Sequence, residues 1–203
     1  MAGKSVIHLV EDDEAMRESL VELLEDGGYT VRTYTRAEEL LAQSSIEPGC
    51  IVSDVRMPGI DGVTLLRRLR AGGSTTPLML ITGHGDIAMA VAAMKAGAID
   101  FLEKPFEADA LLAALGAALR DPPSKDKTEN VELSRQRLRK LTSREYEVLG
   151  QLVAGKSNKE IAAQLGISPR TVEFHRAHIM EKMATKGLPE LVRVWLSADP
   201  FAK

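Results

Sequence analysis

Six side chains with useful chemistry fall at the ends of apolar runs. Glu11, Asp12 and Asp13 follow Val6 to Val10, Asp54 follows Cys50-Ile51-Val52-Ser53, Thr82 follows Leu78-Met79-Leu80-Ile81, and Lys104 follows Ile99 to Glu103. If these runs are strands of one parallel sheet, their carboxyl ends meet at one edge, where open α/β sheets place their ligands. Carboxylates drawn together there repel one another. A divalent cation relieves that repulsion, and an all-oxygen site with few protein ligands suits Mg²⁺. Removing one carboxylate, as in Asp54→Asn, should then stabilise the empty pocket. The three acids after the first run also have a plainer use as caps of the following helix, whose dipole favours negative charge. The shared edge with Asp54, Thr82 and Lys104 weighs for the pocket.

The elements that must position these groups alternate. Ser5 to Val10 reads as a strand, and Glu14 to Asp26 as a helix with Met16, Leu20, Leu23 and Leu24 on one face. Strands over 29–34, 50–53, 77–81 and 99–102 follow, with helices over 36–43, 62–71, 87–95 and 107–119, and glycine pairs such as Gly27-Gly28 and Gly72-Gly73 as stops. This alternation predicts an α/β flavodoxin-like, doubly wound parallel five-stranded sheet in the order 2-1-3-4-5. The polar stretch Asp121 to Thr128, with Pro122-Pro123, breaks the pattern. The expected organisation is one domain over 1–120, a linker over 121–136 and an all-α domain over 137–203.

In the second domain, Thr142-Ser143-Arg144-Glu145 and Ser157-Asn158-Lys159-Glu160 are both S/T-x-x-E capping boxes. A helix from Lys159 to Leu165 ends at Gly166. Ser168 caps the next, which has Pro169 at its first position and runs to about Met183. Helix, glycine turn and helix make a helix-turn-helix. Val172, His175, Ile179 and Met183 share the face that packs, while Arg170, Glu173, Phe174 and Ala177 share the opposite one. In a DNA major groove Phe174 would meet thymine methyls and Glu173 would accept from cytosine N4. Lys156, Ser157, Asn158, Lys159 and Arg176 are candidates for backbone phosphates, and Thr171 joins the DNA-facing set. The plainer reading of these residues is a solvated charged face.

Composition agrees with two modules. Of 203 residues, 44% are hydrophobic, which is enough for packed cores. No window holds the roughly 18 apolar residues of a membrane span, so no membrane partner is expected. No signal-peptide pattern precedes the first strand. Cys50 is the lone cysteine, so no internal disulfide can form, and a cytoplasmic location fits. The net charge of −3 conceals a split: residues 1–133 carry 13 basic and 22 acidic side chains, and residues 134–203 carry 13 and 7. The basic half is the one suited to nucleic acid.

The motifs of the first half resemble the receiver domain of two-component response regulators. Glu11 and Asp12 resemble its acidic pair, with Asp13 outside; Asp54 its phosphoacceptor; Thr82 its switch hydroxyl; and Lys104-Pro105 its lysine and following proline, joined by a cis bond in that family. The resemblance implies Mg²⁺ held by Glu11, Asp12, Asp54 and the Arg56 backbone carbonyl. It also implies transfer of a phosphoryl group from a sensor histidine kinase to Asp54, with Lys104 on the phosphoryl oxygens and Phe101 turning inward as Thr82 moves. Leu141 to Glu145, Gly155 to Ala162 and Ile167 to His175 resemble the LuxR-type DNA-binding domain. The combination, with Ile-Thr-Gly-His-Gly-Asp and Glu-Lys-Pro-Phe-Glu, is similar to the FixJ-like response regulators. The expectation is a non-enzymatic regulator that binds promoter DNA as a homodimer when phosphorylated and activates transcription through RNA polymerase.

Four other readings of the first half each meet an obstacle. Gly83-His84-Gly85-Asp86-Ile87-Ala88 matches the G-x-G-x-x-A dinucleotide fingerprint, with Glu103 about 20 residues on. It follows the fourth strand rather than the first, and a pyrophosphate there would face carboxylates. An aspartyl phosphatase commonly has a second acid two residues after its nucleophile, where this chain has Arg56. His84 as a general base has no evident orienting partner. A degenerate, phosphorylation-independent module is argued against by the intact Asp54, Thr82 and Lys104.

Overall fold

The computed structural model describes residues 5–83, 87–120 and 128–198. His84, Gly85 and Asp86 of the glycine motif and the paired prolines 122–123 lie outside these residues. The chain divides into two compact units, residues 1–85 with 96–123 and residues 86–95 with 124–203. Among the described residues no helix is long and apolar enough to cross a membrane.

The first unit carries strands β1 (Val6–Val10), β2 (Thr30–Tyr34), β3 (Gly49–Asp54), β4 (Leu78–Thr82) and β5 (Asp100–Glu103). All neighbours are parallel, in the order β2-β1-β3-β4-β5 that the alternation predicts. The helices between successive strands are α1 (Glu14–Asp26), α2 (Ala37–Leu41), α3 (Gly62–Ala71) and α4 (Ile87–Lys95), of which α4 falls in the second unit, with α5 (Ala108–Arg120) after the last strand. β1 and β4 are buried along their whole length, as a sheet covered on both faces requires, and so they read as unbroken apolar runs.

Ile7, Leu9, Cys50, Val52, Met79 and Ile81 form one core with Leu20 and Leu24 of α1 and Leu111 and Leu115 of α5. Each aliphatic side chain and methionine of this set contributes roughly 1.5–3 kcal/mol by leaving water, and together they hold the strand ends in place. Cys50 is fully buried, and that burial pushes its thiol up to about 12. α3 begins hard against the end of β3. Its first residue is Gly62, whose N–H donates to the Val55 carbonyl at 3.0 Å. A Cβ there would collide with the Asp54 carbonyl oxygen.

The second unit holds α6 (Thr128–Leu138), α7 (Ser143–Val153), α8 (Asn158–Leu165), α9 (Pro169–Met183) and α10 (Leu188–Ala198). The stretch read as linker as far as residue 136 thus ends in a helix. Ser134 Oγ and Ser197 Oγ share a hydrogen bond at 2.9 Å, and Arg135 Nε donates to the Ala198 carbonyl at 3.4 Å, tying α6 to α10. Thr142 and Ser157 form full capping boxes with Glu145 and Glu160, and Ser168 caps α9 ahead of Pro169. Gly166 closes α8 in the left-handed region at φ 65°, which glycine adopts without a steric cost.

Candidate functional site

Strand register brings the candidate groups of the first unit to one edge. Val10 pairs with Ser53, so Glu11 comes level with Asp54; Asp54 pairs with Ile81, one residue before Thr82; Thr82 pairs with Glu103, one residue before Lys104. The Lys104 N–H donates to the Thr82 carbonyl at 2.7 Å, and the Lys104–Pro105 bond is cis. From there the Lys104 ammonium reaches back and donates to Asp54 Oδ1 and Glu11 Oε2, each at 2.8 Å. Asp54 Oδ2 accepts the Arg56 N–H at 2.6 Å. Glu11, Asp54 and Thr82 are buried, and the Lys104 side chain is 16% exposed.

The three acids after β1 part company. Glu11 enters the pocket. Asp13 caps α1, accepting the Met16 N–H at 2.8 Å. Asp12 is exposed. Sequence reasoning passes over Arg17, which donates to the Glu11 carbonyl at 2.9 Å and the Asp12 carbonyl at 3.4 Å and so fixes this turn. Only its place in the first turn of an acid-capped helix could have marked it. Phe101 is buried on β5.

The electrostatics are those of a charge pair shared three ways. Burial raises the Glu11 carboxyl above its ordinary value and outweighs the lowering by Lys104, while Asp54 adds to the rise. Burial works to lower Lys104, but its bonds to Asp54 and Glu11 prevail and raise it. The repulsion expected from crowded carboxylates is therefore already offset by a lysine. Among the described residues no three His, Cys, Asp or Glu side chains form a ready metal cage. Two buried carboxylates converging on one cationic position, all-oxygen and acidic, still suit a hard cation that keeps most of its own water.

In the second unit Val172, Ile179 and Met183 of α9 are fully buried, while His175 is half-buried. Arg170, Glu173, Phe174 and Ala177 are exposed, with Phe174 59% exposed and its ring edge-on to His178 at 4.1 Å. Ser157 and Lys159 are exposed at the start of α8, and Thr171 is half-buried. Lys156, half-buried, donates to Gln164 Oε1. Asn158 and Arg176 are bonded to each other.

Residues 7–116 match the response regulator receiver domain, and residues 139–195 match the bacterial regulatory proteins of the luxR family. The chain belongs to the FixJ-like response regulators. It is 46% identical over 200 residues to the transcriptional regulatory protein FixJ of Bradyrhizobium diazoefficiens, covering 98% of both chains. It is 48% identical to that of Azorhizobium caulinodans, covering 95% of this chain and 92% of the relative. The crystal structure of full-length FixJ from B. japonicum superposes with a TM-score of 0.58 at 45% identity, covering 97% of this chain and 98% of that one. A response regulator of this kind takes its signal by phosphorylation and regulates transcription through its DNA-binding domain; the receiver implies a sensor kinase partner.

In the regulator's DNA-binding unit an ionic tie joins two helices that the capping motif alone does not link. Lys182 of α9 donates to both oxygens of Glu145 on α7, at 2.8 and 2.7 Å. Burial works to raise Glu145, but the bonds from Lys182 and Thr142 outweigh it and pull the carboxyl from 4.5 down to about 2. A depressed carboxyl adds stability that is present above its unfolded value and lost as pH falls through the folded one. Lys182→Ala should cost about 2 kcal/mol at neutral pH, less than breaking a fully buried pair because the Lys182 side chain is 35% exposed. The gap should close between pH 4.5 and about 2. Urea unfolding followed by the fluorescence of Trp195, which lies in this unit, checks it. An equal gap at pH 7 and pH 3 would count against the tie.

Proposed function

We propose that Asp54 is the phosphoacceptor of a cytoplasmic response regulator that takes its phosphoryl group from the phosphohistidine of a sensor kinase, dimerises, binds promoter DNA through α9 and activates transcription by contact with RNA polymerase. The observation that carries the reading is the Lys104 ammonium bridging Asp54 and Glu11 at 2.8 Å, at the sheet edge that also carries Thr82.

One Asp54 oxygen attacks phosphorus in line; the P–O bond forms as the donor P–N bond breaks, and the imidazole keeps the electron pair. Glu11, Asp12, Asp54 and the Arg56 carbonyl would hold Mg²⁺, directly or through water. When bound, the ion supplies positive charge that screens the carboxylate from the phosphoryl oxygens. The Arg56 N–H orients Asp54 through Oδ2 before attack. Lys104, resting on Oδ1, passes to a phosphoryl oxygen once Asp54 is phosphorylated. The Thr82 hydroxyl bonds another of those oxygens, and Phe101 follows it inward.

Incubation with Mg²⁺ and acetyl phosphate tests this reading. One phosphoryl group per chain, released by hydroxylamine, supports it. Continuous turnover would instead indicate a phosphatase, and no labelling a degenerate pocket.

On the DNA side, Lys156, Ser157 and Lys159 meet backbone phosphates. Arg170, Thr171, Glu173, Phe174 and Ala177 face the base edges, where Glu173 accepts from cytosine N4 and Phe174 meets a thymine methyl. Lys159→Ala should weaken binding to all sequences alike and make the slope of log affinity against log salt shallower by about 1. Titrations at several salt concentrations check it; an unchanged slope would take Lys159 off the phosphate.

A further inference from the structure

α9 is pinned to its neighbours by two charged side chains. Lys182 closes on Glu145 of α7 near its C-terminal end. Near its middle, Arg176 Nη1 donates to Asn158 Oδ1 of α8 at 2.8 Å. A basic residue on a groove helix is expected to neutralise phosphate, and a phosphate-binding arginine presents its planar fork to the anion. Arg176 does otherwise. It is half-buried, burial pulls its guanidinium below its ordinary value while Glu173 works the other way, and one N–H of the fork turns into the seam between helices. Asn158 is the first residue of α8, just after the Ser157 cap. The bond therefore joins the first turn of one helix to the middle of the other. Arginine has no acceptor, so the amide must present its oxygen, which fixes the Asn158 rotamer as well.

We infer that Arg176, with Asn158, is a positioning residue: the pair sets the angle of α9 against α8, so that Glu173 and Phe174, within a turn of Arg176, meet the bases in one orientation. This rests on the reading of α9 as the groove helix.

The test uses the full-length protein phosphorylated with acetyl phosphate and Mg²⁺. It is titrated at several salt concentrations against a short duplex that the wild-type protein has enriched from random-sequence DNA, and against a scrambled duplex of the same composition. Arg176→Ala should bind the enriched duplex about tenfold more weakly, with the wild-type salt slope and unchanged affinity for the scrambled duplex. Asn158→Ala should give the same selective loss, and the double variant should be no weaker than either. A slope shallower by about one, with equal loss on both duplexes, makes Arg176 a phosphate contact and overturns the inference. Additive losses in the double variant overturn it too, as does full affinity in Asn158→Ala. Phe174→Ala separates this from the reading beneath it. If that variant still discriminates between the duplexes as wild type does, α9 is not the groove helix and both fall. If discrimination is lost there but the losses at positions 158 and 176 add, the pair alone is wrong.

Discussion

Lys104→Ala loses about 3 kcal/mol of stability in the receiver domain when no divalent ion is present. Glu11 and Asp54 both rest on the Lys104 ammonium at 2.8 Å, and their side chains are 3% and 9% exposed. Removing one member of a buried ionic cluster typically costs 3–5 kcal/mol, because the charges left behind stay desolvated. The two carboxylates then face each other without a cation. Glu11, already raised by burial, loses the partner that lowers it and rises further. A carboxyl raised in the folded state recovers stability as pH falls through that raised value. The gap to wild type should therefore narrow on mild acidification and on adding Mg²⁺. Thermal unfolding by circular dichroism, with and without the ion and across pH, gives the measurement. The variant should still label with acetyl phosphate, yet its DNA affinity should no longer respond. A variant as stable as wild type without the ion would remove the structural role of Lys104, and one whose DNA binding responds normally would remove its coupling role.

Asp54→Asn should lose labelling while losing far less stability. Labelling falls to zero, because an amide cannot form an acyl phosphate, and DNA binding ceases to respond to the phosphodonor. Charge crowding alone argues that losing this carboxylate should stabilise the pocket. The hydrogen bonds argue otherwise. Oδ1 accepts from Lys104 and Oδ2 from the Arg56 N–H, so both oxygens face donors. An amide has one oxygen, and whichever way it turns, its N–H₂ meets a donor. The cost is about 1 kcal/mol, limited because Lys104 keeps its bond to Glu11. Unfolding and mass spectrometry of the same sample read both effects. Full labelling at another residue would move the phosphoacceptor away from Asp54.

The bonds behind these two outcomes are only partly legible in the sequence. Parallel strands buried on both faces read as continuous apolar runs, so the ends of β1, β3 and β4, and with them Glu11, Asp54 and Thr82, could be located directly. Capping boxes announced α7 and α8 because their chemistry lies within four residues. The Lys104–Glu11 bond joins residues 93 apart, and no local pattern encodes which carboxylate a flexible lysine will choose. The extra reach of a glutamate at position 11 is visible only once strand register sets the distance. α6 is hidden for the opposite reason. Its residues, Thr128 to Leu138, are mostly polar, and its ties to α10 come from serines and an arginine rather than an apolar stripe. Charge alone points Arg176 at a phosphate, whereas burial at the seam with α8 decides its partner.

The single cysteine gives this chain a built-in clock. Cys50 sits on β3 four residues before Asp54, fully buried, with its thiol pushed up to about 12. A thiol reagent has neither access nor thiolate while the sheet stays closed. Modification therefore counts openings of the central strand, and its rate under excess reagent measures how often the receiver comes apart there. With one reactive atom per chain, the count needs no engineered label. The same strand carries the phosphoacceptor, so the ticking rate before and after phosphorylation reports how far an anion at one end of β3 tightens the sheet behind it.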